Sequence, residues 1–544
     1  MKISKTIIIL VLILVVAAGL RVFKLTEVPL YGDELTMVYD SYSILKTGQD
    51  SVGDFMPLTF KMGAGRPGGY IYAQLPFVAL FGPTIWGERI LSLLSGLGLI
   101  ILMFHFGKVL FNEKIGLISA ALTAFSPWGI NLSRGGFEAN FALLLAVLGT
   151  LCFISSKGRP YLLVAAALAW GLTIHTYPTY KLTIPLIILL LIWYQGGLKK
   201  ILEKKVLPFI ILSGFILIAA GILAILQTFT AGSETRFADI NILSQENLRE
   251  TLVQQINYER AISTLPEILK PLFSNRFFEY TFVIGEGYLK HFSLDFLFLH
   301  GDRNPRHNMS TMGEFYVIEI ISIIFGIYLL AKKERKIFIL LILWVLLAPL
   351  PAALLIESHA LRASFMFPPL TLISAFGLSY LWDVSKGKPY RFPTAVMFIV
   401  FFIQLVLLLE RLYFIAPNEF SRFWSYPAQL ASERAILEKN NFDFVILSTR
   451  IDNIEFAYPV YAKLPPDVVL LQNKAKTLLG GLLFEKFDNV YIGSIPDGLE
   501  NDFIDHLPGT VIFMGYPDQS RNLALPQMVG GRDKLPAIVV RQKL

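Results

Sequence analysis

Apolar runs long enough to cross a bilayer decide what this chain can fold into. Stretches of about 17–25 mostly apolar residues begin near residues 5, 86, 114, 138, 160, 181, 206, 313, 336, 362 and 392. Hydrocarbon offers a backbone no hydrogen-bond partners, so each run reads as a helix. Hydrophobic residues are 54% of the 544 and charged residues only 16%, well under the roughly 25% of an ordinary soluble chain. These figures exclude a disordered chain and an ordinary soluble enzyme. The expected fold is mainly α, a polytopic membrane protein of about eleven transmembrane helices. The first run, Thr6–Leu20, follows Lys2 and Lys5 but is long for a signal peptide. It meets no clean small-x-small cleavage site before Arg21, so an uncleaved first helix is expected. Gly69–Phe81 is apolar but too short to span, and reads as an interfacial or re-entrant helix.

Charge placement gives an orientation. With the N-terminus in the cytoplasm, the short inner segments carry seventeen basic residues, from Lys2, Lys5, Lys108 and Lys114 through Lys199, Lys200, Lys204 and Lys205 to Lys386, Lys388 and Arg391. The short outer loops carry Arg134, Lys181 and Arg362. That asymmetry follows the positive-inside rule. The net charge of +7 is thereby explained without nucleic acid as a partner. Trp86, Trp128 and Trp424 are expected near the outer interface, Trp193 and Trp382 near the inner one. Outside lie loops of about 23–85 and 228–312 and a tail from about 413 to 544. The single cysteine, Cys152, permits neither an intramolecular disulfide nor a cysteine metal site.

The tail carries apolar runs at 442–449, 489–495 and 510–516, separated by helical stretches such as Pro427–Asn440. Buried strands alternating with helices predict a small extracytoplasmic α/β domain. Two domains are thus expected, 1–412 in the membrane and 413–544 outside it. Arg422, Trp424 and Tyr426, just past the last run, read as interfacial anchors. There is no internal repeat, phosphate-binding P-loop or dinucleotide fingerprint.

Polar residues gather on the expected outer side. Gly32-Asp33-Glu34 places two adjacent carboxylates after a Pro/Gly turn. A carboxylate in a low-dielectric cleft can act as a base; equally, the pair could simply open a helix. Lys61 and Arg66 add cations to the same loop. Arg134 and Glu138 share the turn 131–140, where they could bind a substrate or pair with each other. His175, Tyr177 and Lys181 share the next outer turn. Asp302, Arg303, Arg306 and His307 precede span eight, and His359 and Arg362 lie between spans nine and ten. Arginine forks suit a phosphate, and neighbouring carboxylates suit deprotonation of a hydroxyl. Together they point to group transfer from a lipid-linked phosphate donor. Six of the seven histidines, His175, His291, His300, His307, His359 and His506, fall outside, but none makes an H-E-x-x-H pair. No metal centre is expected, while a divalent cation at Asp33 or Glu34 stays open.

On Gly32-Asp33-Glu34, the Gly-Glu-Arg-Ile-Leu-Ser segment at 87–92, Ser126-Pro127 and the Arg134/Glu138 turn, residues 1–412 resemble the GT-C-type membrane glycosyltransferases. The nearest branch is that of the dolichyl-phosphate-mannose protein mannosyltransferases and the lipid A aminoarabinose transferases. The segments Gly301-Asp302…Arg306-His307 and His359…Arg362 resemble its bacterial subset with an RgtA/B/C/D-like domain. The resemblance implies an inverting transferase that moves a sugar from a polyprenyl-phosphate donor to a glycan, lipid or protein hydroxyl at the outer face. It makes Asp33 the catalytic base, Glu34 its positioning neighbour and Glu138 a second acidic position. Arg66 stands where the aminoarabinose transferases have a lysine for the donor phosphate, with Lys61, Arg303, Arg306 and Arg362 as further phosphate ligands. Arg134, His175, Tyr177, Lys181, Asp302, His307 and His359 would contact substrate. Gly68-Gly69 departs from the aminoarabinose branch and points away from lipid A as acceptor. The tail lacks the β-trefoil insertion of the eukaryotic protein mannosyltransferases. A flippase of lipid-linked saccharides is the alternative; the absence of paired halves weighs against it.

Overall fold

A computed structural model describes residues 4–61, 65–197, 204–228, 246–354, 357–385 and 391–544. Lys2, Lys199, Lys200, Lys386 and Lys388, and residues 229–245 of the expected second outer loop, lie outside these. The chain divides into two compact units. One is Met1–Val22 with Ser92–Leu409; the other is Phe23–Leu91 with Glu410–Leu544. Sequence reading divides the chain once, at 412/413. Contacts assign the first loop to the same unit as the C-terminal tail.

The first unit is helical. Helices begin at or near the expected positions, among them Lys5–Val22, Ile85–Leu110, Glu138–Ile154, Tyr161–Ile174, Leu207–Thr228, Phe367–Val384 and Arg391–Glu410. Among the described residues six are long and apolar enough to cross a membrane. A seventh follows if Glu113–Phe125 and Pro127–Arg134, bent by 55° at their break, are one span. Pro127 lacks the N–H that would carry the first helix onward. Glu138–Ile154, Tyr161–Ile174 and Tyr180–Tyr194 are apolar but shorter. Fourteen residues at about 1.5 Å each reach roughly 21 Å, short of a hydrocarbon core of about 30 Å. The chain is a multi-pass membrane protein. Side chains such as Phe215 and Phe402 stay well exposed, as lipid-facing residues do.

Close helix packing in this unit rests on small residues. A Cβ on Gly377 would lie 2.0 Å from the Ser322 carbonyl oxygen, and one on Gly326 would lie 2.1 Å from that of Ile373. Helices Glu319–Lys333 and Phe367–Val384 therefore meet backbone to backbone. Ser322 and Ser374 share a hydroxyl hydrogen bond of 2.7 Å across the seam, and Ser374 donates to Glu319 at 3.1 Å.

The second unit is α/β. Its strands are the short antiparallel pair β1 (Thr59–Phe60) and β2 (Arg66–Pro67), then β3 (Phe444–Ser448), β4 (Thr477–Leu479), β5 (Leu482–Phe487), β6 (Val490–Gly493), β7 (Val511–Gly515), β8 (Gln527–Gly530) and β9 (Pro536–Lys543). The last seven form one sheet in the order β4-β5-β6-β3-β7-β9-β8. β3 is parallel to both β6 and β7, and the outer strands are antiparallel. Strand alternation sends Val445 and Leu447 to one face and Ile446 to the other. The Ile446 face packs with Phe513, Val539, Ile504 and Leu507. The Val445 face packs with Ala428, Ala431 and Ala435 of helix Tyr426–Glu438, and with Leu35, Val38 and Tyr39 of helix Gly32–Thr47. The first-loop helix is thus part of the sheet's core.

Gly69–Phe81 is a helix, but it does more than lie at an interface. Val78 enters the same core. Gln74 donates to the Met37 carbonyl at 3.0 Å and to Ser41 Oγ at 2.7 Å. Trp424 is likewise buried, at 2% exposure, so it is no interfacial anchor. Arg422 pairs with Asp533 at 2.7 Å. Trp128, in the first unit, is also fully buried, whereas Trp193 and Trp382 are exposed.

Candidate active site

Helix Gly32–Thr47 is capped from one side: Glu34 reaches back to accept from the Tyr31 N–H at 3.3 Å. A Cβ on Gly32 would lie 2.4 Å from Asn453 Oδ1, so any larger residue there would displace the Asn453 side chain in the loop that follows β3. The turn leaves Asp33 half exposed, with a side-chain exposure of 50%, while Glu34 is fully enclosed at 0%.

The two carboxylates therefore diverge. Asp33 Oδ1 is held by Arg66 Nη2 at 2.7 Å. Arg66 is itself buried to 1% and also donates to the Asp33 carbonyl and Thr36 Oγ1, both at 3.2 Å. Arg66, expected on a donor phosphate, is paired here with the Asp33 carboxylate. Glu34 is gripped twice by Arg89, Nε to Oε1 at 2.7 Å and Nη2 to Oε2 at 2.6 Å. Arg89 also donates to the carbonyls of Leu25, Val28 and Pro29 and stacks over Trp424 at 5.1 Å. Glu34 and Arg89 thus fix the turn that presents Asp33. The sequence marks Arg89 only as part of the 87–92 segment and assigns it no role; its signal was a charge inside an apolar helix, which calls for a partner. Lys61 is exposed and pairs with Asp54 at 2.8 Å.

In the same unit Asp40 is 1% exposed and accepts from the Ser51 N–H at 2.9 Å and its hydroxyl at 2.5 Å. Burial pushes its pKa up to about 7, the Ser51 bonds acting the other way.

The first unit holds a second constellation. Asp302 Oδ2 lies 2.8 Å from His307 Nδ1 and 3.9 Å from His359 Nδ1. The two imidazoles stack at 4.5 Å between centroids. The carboxylate is aimed by backbone: Asn304 N–H donates to Oδ1 and Ala360 N–H to Oδ2, both at 2.8 Å. His291, fully buried, accepts the His359 N–H on Nε2 at 3.1 Å and faces the Gly287 carbonyl with Nδ1 at 2.8 Å. These bonds fit the neutral ring protonated on Nδ1. Gly301 has φ of 70°, and a Cβ there would lie 2.3 Å from Asn308 Nδ2. Asn308 staples the loop by donating to the carbonyls of His300 and Met312 at 2.9 and 2.7 Å. Asn131, from the Arg134 turn, joins through Ser310 at 3.0 Å.

Electrostatics follow from enclosure. Burial raises the Asp302 pKa, but the His307 hydrogen bond and charge outweigh it and leave Asp302 below the carboxylate range. Burial, then the neighbouring His307, drives His359 well below the usual histidine value. Burial, then the charge of Asp302, pushes Glu314 well up; its Oε1 accepts the Asp302 N–H at 3.0 Å.

The remaining expected residues scatter within this unit. Arg134 is buried and donates to the Leu20 and Arg21 carbonyls at 3.2 and 2.9 Å, closing the end of the first helix. Glu138 is buried in the first turn of its helix. His175 meets Gln227 at 3.0 Å, Lys181 reaches the Ala224 carbonyl at 3.5 Å, and Tyr177 is buried. His175 and Lys181 thus contact the end of helix Leu207–Thr228. Arg303 is 73% exposed beside Asp295. Arg306 is partly buried, and Arg362 donates its backbone N–H to His359 Nδ1 at 3.4 Å.

Comparison with known proteins comes to the same fold. A family model described as dolichyl-phosphate-mannose-protein mannosyltransferase matches residues 66–223. No curated protein sequence matches the chain significantly. Among solved structures, ArnT from Cupriavidus metallidurans aligns in its apo state at 10% identity and a TM-score of 0.56. Bound to undecaprenyl phosphate it aligns at 12% identity and 0.57. Each alignment covers 98% of this chain and 97% of that one. The apo oligosaccharyltransferase of Archaeoglobus fulgidus aligns at 12% identity and a TM-score of 0.50, over 95% of this chain and 70% of its own. The fold is that of the GT-C membrane glycosyltransferases.

Proposed function

We propose that this chain is an inverting membrane glycosyltransferase. Its donor is a sugar on a polyprenyl phosphate, its acceptor a hydroxyl, and it acts at the outer face of the membrane. The observation that carries the reading is the Asp33 carboxylate, half exposed at a helix start and paired with a buried arginine. Such a group is fixed in direction yet open to a hydroxyl, as a general base must be. The family match and the structural neighbours support the donor class: one names a dolichyl-phosphate sugar, the other is a structure with undecaprenyl phosphate bound.

In this reading Asp33 takes the acceptor proton as the hydroxyl oxygen attacks the anomeric carbon. The bond from that carbon to the phosphate oxygen breaks, and polyprenyl phosphate leaves with the electron pair. The configuration inverts, and the leaving group needs no general acid. Arg66 holds the carboxylate in line.

Purified protein in detergent, incubated with a panel of radiolabelled polyprenyl-phosphate sugars beside an Asp33→Asn variant, tests this. Transfer or sugar release by the wild type alone is the expected result. Equal turnover by both proteins removes Asp33 as the base, and absence of turnover with every donor and acceptor offered counts against the transferase.

A further inference from the structure

We propose that Asp302, His307 and His359 form a zinc site with one coordination position open to water or an oxyanion. The proposal is independent of the glycosyl-transfer reading. One ligand atom from each residue falls within 4.8 Å of the others. Zinc bonds of about 2.0–2.1 Å in a tetrahedron set ligand atoms roughly 3.4 Å apart. The Asp302 Oδ2 separations of 2.8 Å to His307 and 3.9 Å to His359 straddle that spacing. A metal would replace the His307 Nδ1 hydrogen bond to Asp302 and the long Arg362 N–H contact on His359 Nδ1 at 3.4 Å.

The surroundings are those of a built site. Ligands of a metal are aimed by outer-shell hydrogen bonds. Here two backbone N–H groups fix both carboxylate oxygens, and buried His291 fixes the backbone of His359. His291 is not counted as a ligand: both of its ring nitrogens are committed to backbone groups, Nδ1 to the Gly287 carbonyl and Nε2 to the His359 N–H. Asp302 is 4% exposed, but His307 and His359 keep 12% and 21%. Access therefore remains on the imidazole side. Three protein ligands with a fourth position left to solvent is the usual form of an open zinc site. The donor set selects the metal: two imidazoles suit zinc, whereas magnesium and calcium favour oxygen cages.

The full-length protein in detergent would be stripped with a chelator, re-equilibrated with zinc chloride and assayed for bound metal by mass spectrometry. The expected result is one retained zinc per chain in wild type and in His506→Ala, an exposed control in the other unit. His307→Gln and Asp302→Asn should bind at least tenfold more weakly. Thermal unfolding of the metal-free proteins shows whether each variant folds. Zinc should then raise the midpoint of wild type and not of the variants. Cobalt in place of zinc should give a visible absorption band that His307→Gln abolishes. Retention by wild type no better than by folded Asp302→Asn overturns the proposal, leaving a hydrogen-bonded Asp–His pair without metal.

Discussion

At the scale of single residues, the two adjacent carboxylates of the first loop have opposite fates. Asp33 is open and Glu34 is sealed against Arg89. Arg66→Ala should keep the fold but lower turnover, because Asp33 then loses its orientation. A fall in kcat larger than the change in KM is the expected signature. Arg89→Met leaves a buried carboxylate uncompensated and should cost about 3–5 kcal/mol, read as a lost unfolding transition or failed expression. Glu34→Met/Arg89→Met should recover only part, since the carbonyls of Leu25, Val28 and Pro29 still lose their donor. Asp40 makes a pH prediction. Its folded pKa of about 7 is above the ordinary aspartate value of 3.8. The folded state then holds a proton that the unfolded state has released, so stability falls from about pH 4 to pH 7 and is level above. Asp40→Asn should flatten that slope in thermal unfolding of the whole protein. The acidic pair was legible as a site because two carboxylates follow a helix-breaking turn. Which of them is open was not, since Arg66 and Arg89 reach them from 33 and 55 residues away.

At the scale of elements, burial governed what could be read. β3, β6 and β7 are covered on both faces, so they appear in the sequence as unbroken apolar runs. β4, β5, β8 and β9 lie outside them in the sheet. β4, β5 and β8 carry less buried, mixed patterns, and no apolar run announced them. Helices of the first unit were legible in position but not in length. Proline and turn residues cut several of them short, as at Pro127. The seam at Gly326 and Gly377 was not legible at all, because glycine in an apolar run carries no sign of its partner. Gly377→Val should force the Ser322 backbone away and destabilise by about 1–3 kcal/mol or more, measured as a lowered unfolding midpoint in detergent. The histidine loops were each visible, yet only the fold brings His307 and His359 together.

At the scale of the whole molecule, the α/β unit is made from two segments that the membrane helices separate in sequence. Leu30, Leu35, Val38, Tyr39 and Val78 complete a buried core otherwise supplied by residues beyond 410. Residues 413–544 expressed alone should therefore expose that face and aggregate or remain loosely packed. The same segment joined to residues 23–91 should give a cooperative unfolding transition. A cooperative, monomeric 413–544 fragment would show that the first-loop helix is dispensable to the core. The contact-based units differ from a division at 412/413 because hydropathy marks where membrane helices stop, not which segments share a core.

That discontinuity sets a timetable for biosynthesis. The helix Gly32–Thr47 leaves the ribosome early, but its sheet is encoded after Ser92–Leu409. At about 5–20 residues per second, those 318 residues impose a wait of roughly 15–60 seconds. Through that interval the acidic turn and its apolar face must be kept from wrong partners by something other than their own domain. The nascent chain can become a competent protein only after its last strands emerge, so a stalled or truncated product carries the acidic pair and its two arginines without Trp424, Asn453 and the sheet that seat them.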